Sequence, residues 1–173
     1  MFLFEYFNKI YMLICWCLTK ILFPSARLIR LPIWVRGWKQ IKFGKNLTTG
    51  RSLRIDCHYG GELIIGENVE INDNCQIACG LKVEIGNNVL IASKVFITDH
   101  DHLFDNNGGP LKKEIQCERV IIGDNVWIGN GVSVLKGSII PAGSVLATNT
   151  VVLRKLTERG VYGGIPCKLL KKL

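Results

Sequence analysis

Three histidines are the side chains of this 173-residue chain whose ordinary pKa lies near neutrality. Two of them share one short stretch, Thr98-Asp99-His100-Asp101-His102. Imidazoles flanked by carboxylates suit two kinds of chemistry. They can ligate a metal, or one ring can act as the general base that takes a proton from an attacking hydroxyl. Zinc needs further ligands, and the third histidine, His58, falls well upstream with no partner apparent, so no metal is expected. Seven cysteines (Cys15, Cys17, Cys57, Cys75, Cys79, Cys117 and Cys167) show neither ligand spacing nor a paired framework. They read as small reduced core residues of a cytosolic protein. No serine or cysteine stands in a nucleophile arrangement, which disfavours a covalent intermediate. What survives is proton abstraction, or else a pair of surface histidines with no chemical role.

The elements that must hold these histidines follow from an internal repeat. From Ile122 an aliphatic residue returns at every sixth position: Ile122, Ile128, Val134, Ile140, Leu146 and Val152. Four residues after these come Val126, Val132, Ser138, Ser144 and Thr150, all small or β-branched, and Gly123, Gly129 and Ala147 directly follow theirs. The same beat runs earlier as Phe43, Thr49, Ile55, then Ile65, Ile71, Ile77, then Ile85, Ile91, Ile97, offset by insertions of four and two residues. A period of six fits neither an amphipathic helix nor an alternating strand. It fits short strands with a corner after each, wound into a parallel β-helix with Gly, Asn and Asp at the corners. Three hexapeptides make a triangular coil, so the fifteen inward positions imply about five coils over residues 41–155. The beat fails severely once, between Ile97 and Ile122, which predicts a long excursion loop over 98–121 with Gly108-Gly109-Pro110 as its turn. Long loops that leave a regular scaffold are often functional, and His100 and His102 sit at the root of this one.

Charge is unevenly shared. Residues 1–50 hold eight Lys/Arg against one acid, Glu5, and so carry +7 of the chain's net +8. Without a nucleic-acid motif, that excess points to an anionic membrane surface or a polyanionic substrate. The first 23 residues are apolar but interrupted by Glu5, Lys9 and Lys20, and the uninterrupted run from Ile10 to Thr19 is ten residues, short of a span. No basic start or small-residue cleavage site suggests a signal peptide. Residues 1–40 are therefore read as a helical segment, either lying in a membrane interface with Arg27, Arg30, Arg36 and Lys39 against anionic lipid or packed on the β-helix. Residues 156–173 read as a basic tail.

The repeat resembles that of the hexapeptide-repeat acyltransferase superfamily, over roughly residues 41–173. Three further stretches carry the likeness: VIIGDNVWIGNGVSVLKGSIIPAGSVLATNTVV after the loop, GVYGGIPCKLLKKL at the end, and Val95-Phe96-Ile97-Thr98-Asp99-His100-Asp101-His102 before the excursion. The resemblance implies an all-β, left-handed parallel β-helix, against the usual right-handed crossover rule. It further implies a homotrimer that binds acetyl-CoA between subunits. In the maltose/galactoside branch the base stands at the position of His102, with His100 in a variable place two residues earlier; alternation directs both rings to one side. By the same matching, Asn130, Thr148, Leu153, Arg154, Lys168 and Lys171 fall on cofactor-contacting places and Trp127 walls the groove. The lysines suit the phosphates of CoA. Asn72 matches an asparagine that contacts sugar hydroxyls, whereas Gly80 replaces the family's acidic acceptor ligand.

SARLIRLPIWVRG, FGKNLTTGRSLRID and LIASKVFITDHDH resemble the bacterial O-acetyltransferases of capsule and lipopolysaccharide synthesis. What this implies is direct acetyl transfer from acetyl-CoA to a saccharide hydroxyl, by a cytoplasmic protein peripheral on the inner face of the plasma membrane. Arg30, Arg51 and Arg54 are candidates for holding an anionic sugar. N-acetylation of an amino sugar or nucleotide-sugar is the rival within enzymes, and a non-catalytic β-helix scaffolding a membrane assembly is the rival outside them.

Overall fold

A computed structural model of the chain describes residues 2–105 and 108–173. The six-residue beat folds into strands of two to five residues that fall in rotation onto three parallel sheets. The first sheet holds seven parallel strands, from Leu28–Ile29 to Gly160–Gly163, and is closed by Lys168–Lys172 running antiparallel. The second holds six strands, from Ile33–Arg36 to Val151–Val152, and the third five, from Ile41–Phe43 to Ile139–Ile140. Register stacks like on like. Ile29, Thr49, Ile71, Ile91, Ile128, Leu146 and Tyr162 form one interior column, and Ile55, Ile77, Ile97, Val134 and Val152 another. Each fully buried aliphatic side chain contributes about 1.5–3 kcal/mol, so the columns account for much of the stability.

There are about seven turns, where the beat implied about five. The two extra turns lie in segments whose basic residues hide the pattern. The first uses Ile29 and Val35, set among Arg27, Arg30 and Arg36. The last uses Leu156 and Tyr162, within the stretch read as a tail. The β-helix thus begins at Leu28 rather than residue 41, and the N-terminal helix, α1, is confined to Phe2–Leu22.

One stripe of α1 packs on the first turn. Cys15 and Thr19 are buried, the Thr19 hydroxyl accepts from the Ile29 N–H at 2.8 Å, and the Tyr11 hydroxyl donates to the Leu31 carbonyl at 2.7 Å. Tyr6, Phe7, Ile10, Leu13, Ile14, Leu18 and Ile21 remain exposed. No described helix is long and apolar enough to cross a membrane. The excursion is a β-hairpin rather than an irregular loop: His100–Phe104 pairs antiparallel with Pro110–Cys117, with a bulge between His102 and Leu103.

Candidate active site

Corners from the third sheet to the first, and from the first to the second, keep the spacing of six throughout the central turns. Corners from the second sheet to the third do not. There the distance between inward residues is eight from Val35 to Phe43, ten from Ile55 to Ile65, eight from Ile77 to Ile85 and twenty-five from Ile97 to Ile122. It returns to six from Val134 to Ile140. Every insertion in the beat therefore lies on one edge of the β-helix, stacked turn on turn. His58 comes from the second turn of that edge, Gly80 from the third and His100 from the fourth.

Asp99 is the anchor. Its side chain is 0% exposed, and its carboxylate accepts backbone N–H groups from Gly80 at 2.7 Å, Leu81 at 2.8 Å and Lys82 at 2.7 Å. It also accepts from His100 Nδ1 at 2.9 Å. Burial pushes its pKa up, but the backbone and ring hydrogen bonds outweigh burial and hold the carboxyl below its ordinary value. An ionised acceptor at Nδ1 fixes the proton there and leaves Nε2 as the free basic nitrogen. The Thr98 hydroxyl lies 3.3 Å from the same Nδ1.

His100 is 11% exposed and borders a groove of about 870 Å³. His102 lines the same groove. His102 is exposed, however, and among the described residues no hydrogen bond holds its ring. Asp101 is exposed too and pairs with Lys136 at 3.2 Å, which also donates to Gln116 and so ties both hairpin strands to the next turn. His58, without an apparent partner in the sequence, meets the His100 ring edge to face at a centroid distance of 4.8 Å. Burial, then the like charge of His100, hold its pKa below the usual imidazole value. Gly80 has a steric role: a Cβ there would come within 2.9 Å of Ile115 Cδ1, 3.1 Å of Cys117 Sγ and 3.4 Å of His100 Nδ1. An acidic side chain at this place would displace the hairpin and the ring. Among the described residues no group of histidines, cysteines and acids is arranged to hold a metal ion.

The remaining candidates are scattered in the single chain. Asn72 sits at the corner between the first and second sheets, away from the His100 groove, and donates its N–H to Ile91. Trp127 is half-exposed on the first sheet; Asn130 and Thr148 are exposed on adjacent turns of one corner. Arg154 and Lys168 come together around a hollow of about 430 Å³ at the C-terminal end, while Leu153 and Lys171 are exposed nearby in sequence but do not line it. His58 is the residue whose part sequence reasoning missed, and the sequence does not distinguish Asp99 from Asp101 as the acid that orients the imidazole. The available signal was that the insertions in the beat recur at the same corner.

No family model matches the chain. The WbbJ protein of Escherichia coli K12, assigned by name to O-acetyl transfer in lipopolysaccharide biosynthesis, is 39% identical over 163 residues, covering 90% of this chain and 83% of that protein. A crystal structure of a maltose O-acetyltransferase from Clostridium difficile 630 is 32% identical, with a TM-score of 0.67 over 79% of this chain and 72% of that one. A hexapeptide-repeat acetyltransferase from Vibrio cholerae, complexed with acetyl coenzyme A, is 25% identical, with a TM-score of 0.58 over 91% and 75%. The chain belongs to the hexapeptide-repeat acyltransferases, and its fold is their left-handed parallel β-helix. It is an acyltransferase.

Proposed function

We propose that the protein transfers an acetyl group from acetyl-CoA directly to a sugar hydroxyl of a bacterial surface polysaccharide or its precursor, with His100 as the base. The observation that carries this is the buried Asp99 carboxylate, pinned by three N–H groups and hydrogen-bonded to His100 Nδ1 at 2.9 Å beside an open groove. The family pattern weights His102; the geometry favours His100, because among the described residues it is that ring which has an ionised orienting partner. His100 Nε2 takes the proton of the hydroxyl as its oxygen attacks the thioester carbonyl, and returns it to the departing thiolate as the C–S bond breaks. Backbone N–H groups at a corner would stabilise the oxyanion.

Arg154 and Lys168, at one C-terminal hollow, suit the phosphates of the donor, and Leu153 and Lys171, exposed nearby in sequence, are further candidates for contacting it. Trp127, Asn130 and Thr148 lie on outer surfaces, which is where a wall shared between subunits of a homotrimer would be; Asn72 would then serve a neighbouring subunit's site. The exposed apolar side of α1, with Lys9 and Lys20 at its margin, suits peripheral binding to an anionic membrane on the cytoplasmic side.

Acetyl-CoA consumption with saccharides offering only hydroxyls, compared with amino sugars, tests the reaction. Transfer to hydroxyl acceptors supports it, and transfer confined to amines would make the enzyme an N-acetyltransferase. Co-sedimentation with phosphatidylglycerol vesicles, lost when residues 1–23 are deleted, tests the membrane contact.

A further inference from the structure

The groove at His100 continues past the reacting corner. A second hollow of about 590 Å³ extends it toward the first turn, and the two share Arg36, Arg54, Asp56 and Gln76. Both lie on the outer face of the second sheet. Register places Trp34, Arg54, Gln76 and Phe96 in one outward row, with Arg36, Asp56, Ala78 and Thr98 in the next. Strands of a sheet are about 4.8 Å apart, so Arg54 stands about 10 Å, and Trp34 about 14 Å, along the stack from the strand that leads into His100.

The two arginines here differ from Arg30 and Arg51. Arg30 donates to the Thr49 carbonyl, and Arg51 is tied to α1 by a bond to Asn8 and by lying over the Tyr11 ring. Arg36 and Arg54 each meet the buried Asp56 through Nε. One carboxylate between two guanidiniums leaves a net positive charge. Among the described residues no hydrogen bond engages the terminal nitrogens of either, and their side chains are 70% and 54% exposed. Trp34, 55% exposed, adds a flat apolar face beside them.

We infer that this sheet face is the acceptor groove, and that the acceptor is a glycan longer than one sugar ring with an anionic group about 10 Å from the acetylated hydroxyl. This rests on the acetyl-transfer reading above. Asp56 holds the two forks side by side with their outer N–H groups free, an arrangement suited to two-pronged recognition of a phosphate or carboxylate. Trp34 would support a sugar ring beyond it. Donor phosphates have their own cations at Arg154 and Lys168, at the opposite end of the stack from Arg36 and Arg54. His100 lies between the two basic sites, as a transfer between two charged substrates requires.

The anionic group could be the phosphate that joins a saccharide to a carrier or the carboxylate of an acidic sugar, and the test separates them. The full-length protein is titrated calorimetrically with maltotriose, with maltotriose 1-phosphate and with a trisaccharide ending in glucuronate. One or both charged ligands should bind at least about tenfold more tightly than the neutral one. In R36Q/R54Q, and in R36Q/R54Q/D56N, which leaves no unpaired carboxylate, that gap should close. Trp34→Ala should weaken all three ligands, and acetyl-CoA affinity should stay unchanged in every variant. Absence of a charge preference, or loss of acetyl-CoA affinity together with the arginines, would overturn the inference. Failure of the underlying acetyl-transfer reading looks different: the unaltered protein would neither bind acetyl-CoA nor consume it.

Discussion

Two edges of the third sheet are built from one repeat and put to different uses. At the edge leading to the first sheet, four successive turns place Asn46, Asn68, Asn88 and Asn125 in the left-handed region, with φ between 55° and 62°. Their side-chain amides link in a ladder at 2.9, 3.0 and 3.3 Å. At the edge arriving from the second sheet, successive corners differ in length, and His58, Gly80, Asp99 and His100 come from three of them. The regular edge keeps the turns in register. That register is what brings a backbone around Gly80 under an Asp99 nineteen residues later. On the proposed mechanism, chemistry in this fold is thus placed where the repeat is relaxed, and it is aimed by the part that is not.

Substitutions at the two edges should separate accordingly. Asp99→Asn should have the largest effect, lowering kcat by about a hundredfold and stability by about 2–4 kcal/mol, because an amide cannot accept so many N–H groups at once. Steady-state kinetics and urea unfolding measure the two losses. Gly80→Ala should press on Ile115 and the His100 ring, costing about tenfold in kcat and less than about 1 kcal/mol, since Ile115 Cδ1 can swing aside. At the regular edge the order reverses. Asn88→Ala should cost about 1–2 kcal/mol, from a left-handed alanine and two lost bonds, and leave kcat within twofold. A large kcat loss there would erase the contrast between the edges.

The smallest effect concerns pH. The folded state holds His58 below its ordinary value of 6.5, so the unfolded chain binds that proton more readily. Its contribution to stability is complete above pH 6.5 and is lost as pH falls through the lower folded value. His58→Gln should flatten this part of the acid-side decline in thermal midpoint. Asp99 acts lower on the scale: its contribution is full above about pH 4 and is lost as pH falls through its own depressed value.

Much of this was legible in the residues. Fourteen of the fifteen inward positions of the beat are fully buried, and the other, Phe43, is half-buried against the core. The first and last turns were not legible, because aliphatic residues standing among arginines and lysines look like amphipathic surface. The break after Ile97 marked the right corner, yet not which histidine the fold equips. Asp99 and Asp101 look alike in sequence, two acids beside two histidines. Their difference is nonlocal: one meets three N–H groups from the turn below, the other a lysine from the turn above. The partner of His58 was not legible for the same reason, since its nearness to His100 depends on how unequal corners stack.

The central claim is that His100, oriented by Asp99, is the base, with His102 a neighbour on the hairpin. Acetyl transfer should therefore be measured side by side in His100→Ala and His102→Ala, with acetyl-CoA affinity as the control for folding. The account predicts a kcat loss of about 10²–10⁴-fold for His100→Ala and less than about tenfold for His102→Ala. Full activity in the first variant, or its collapse in the second alone, would contradict it.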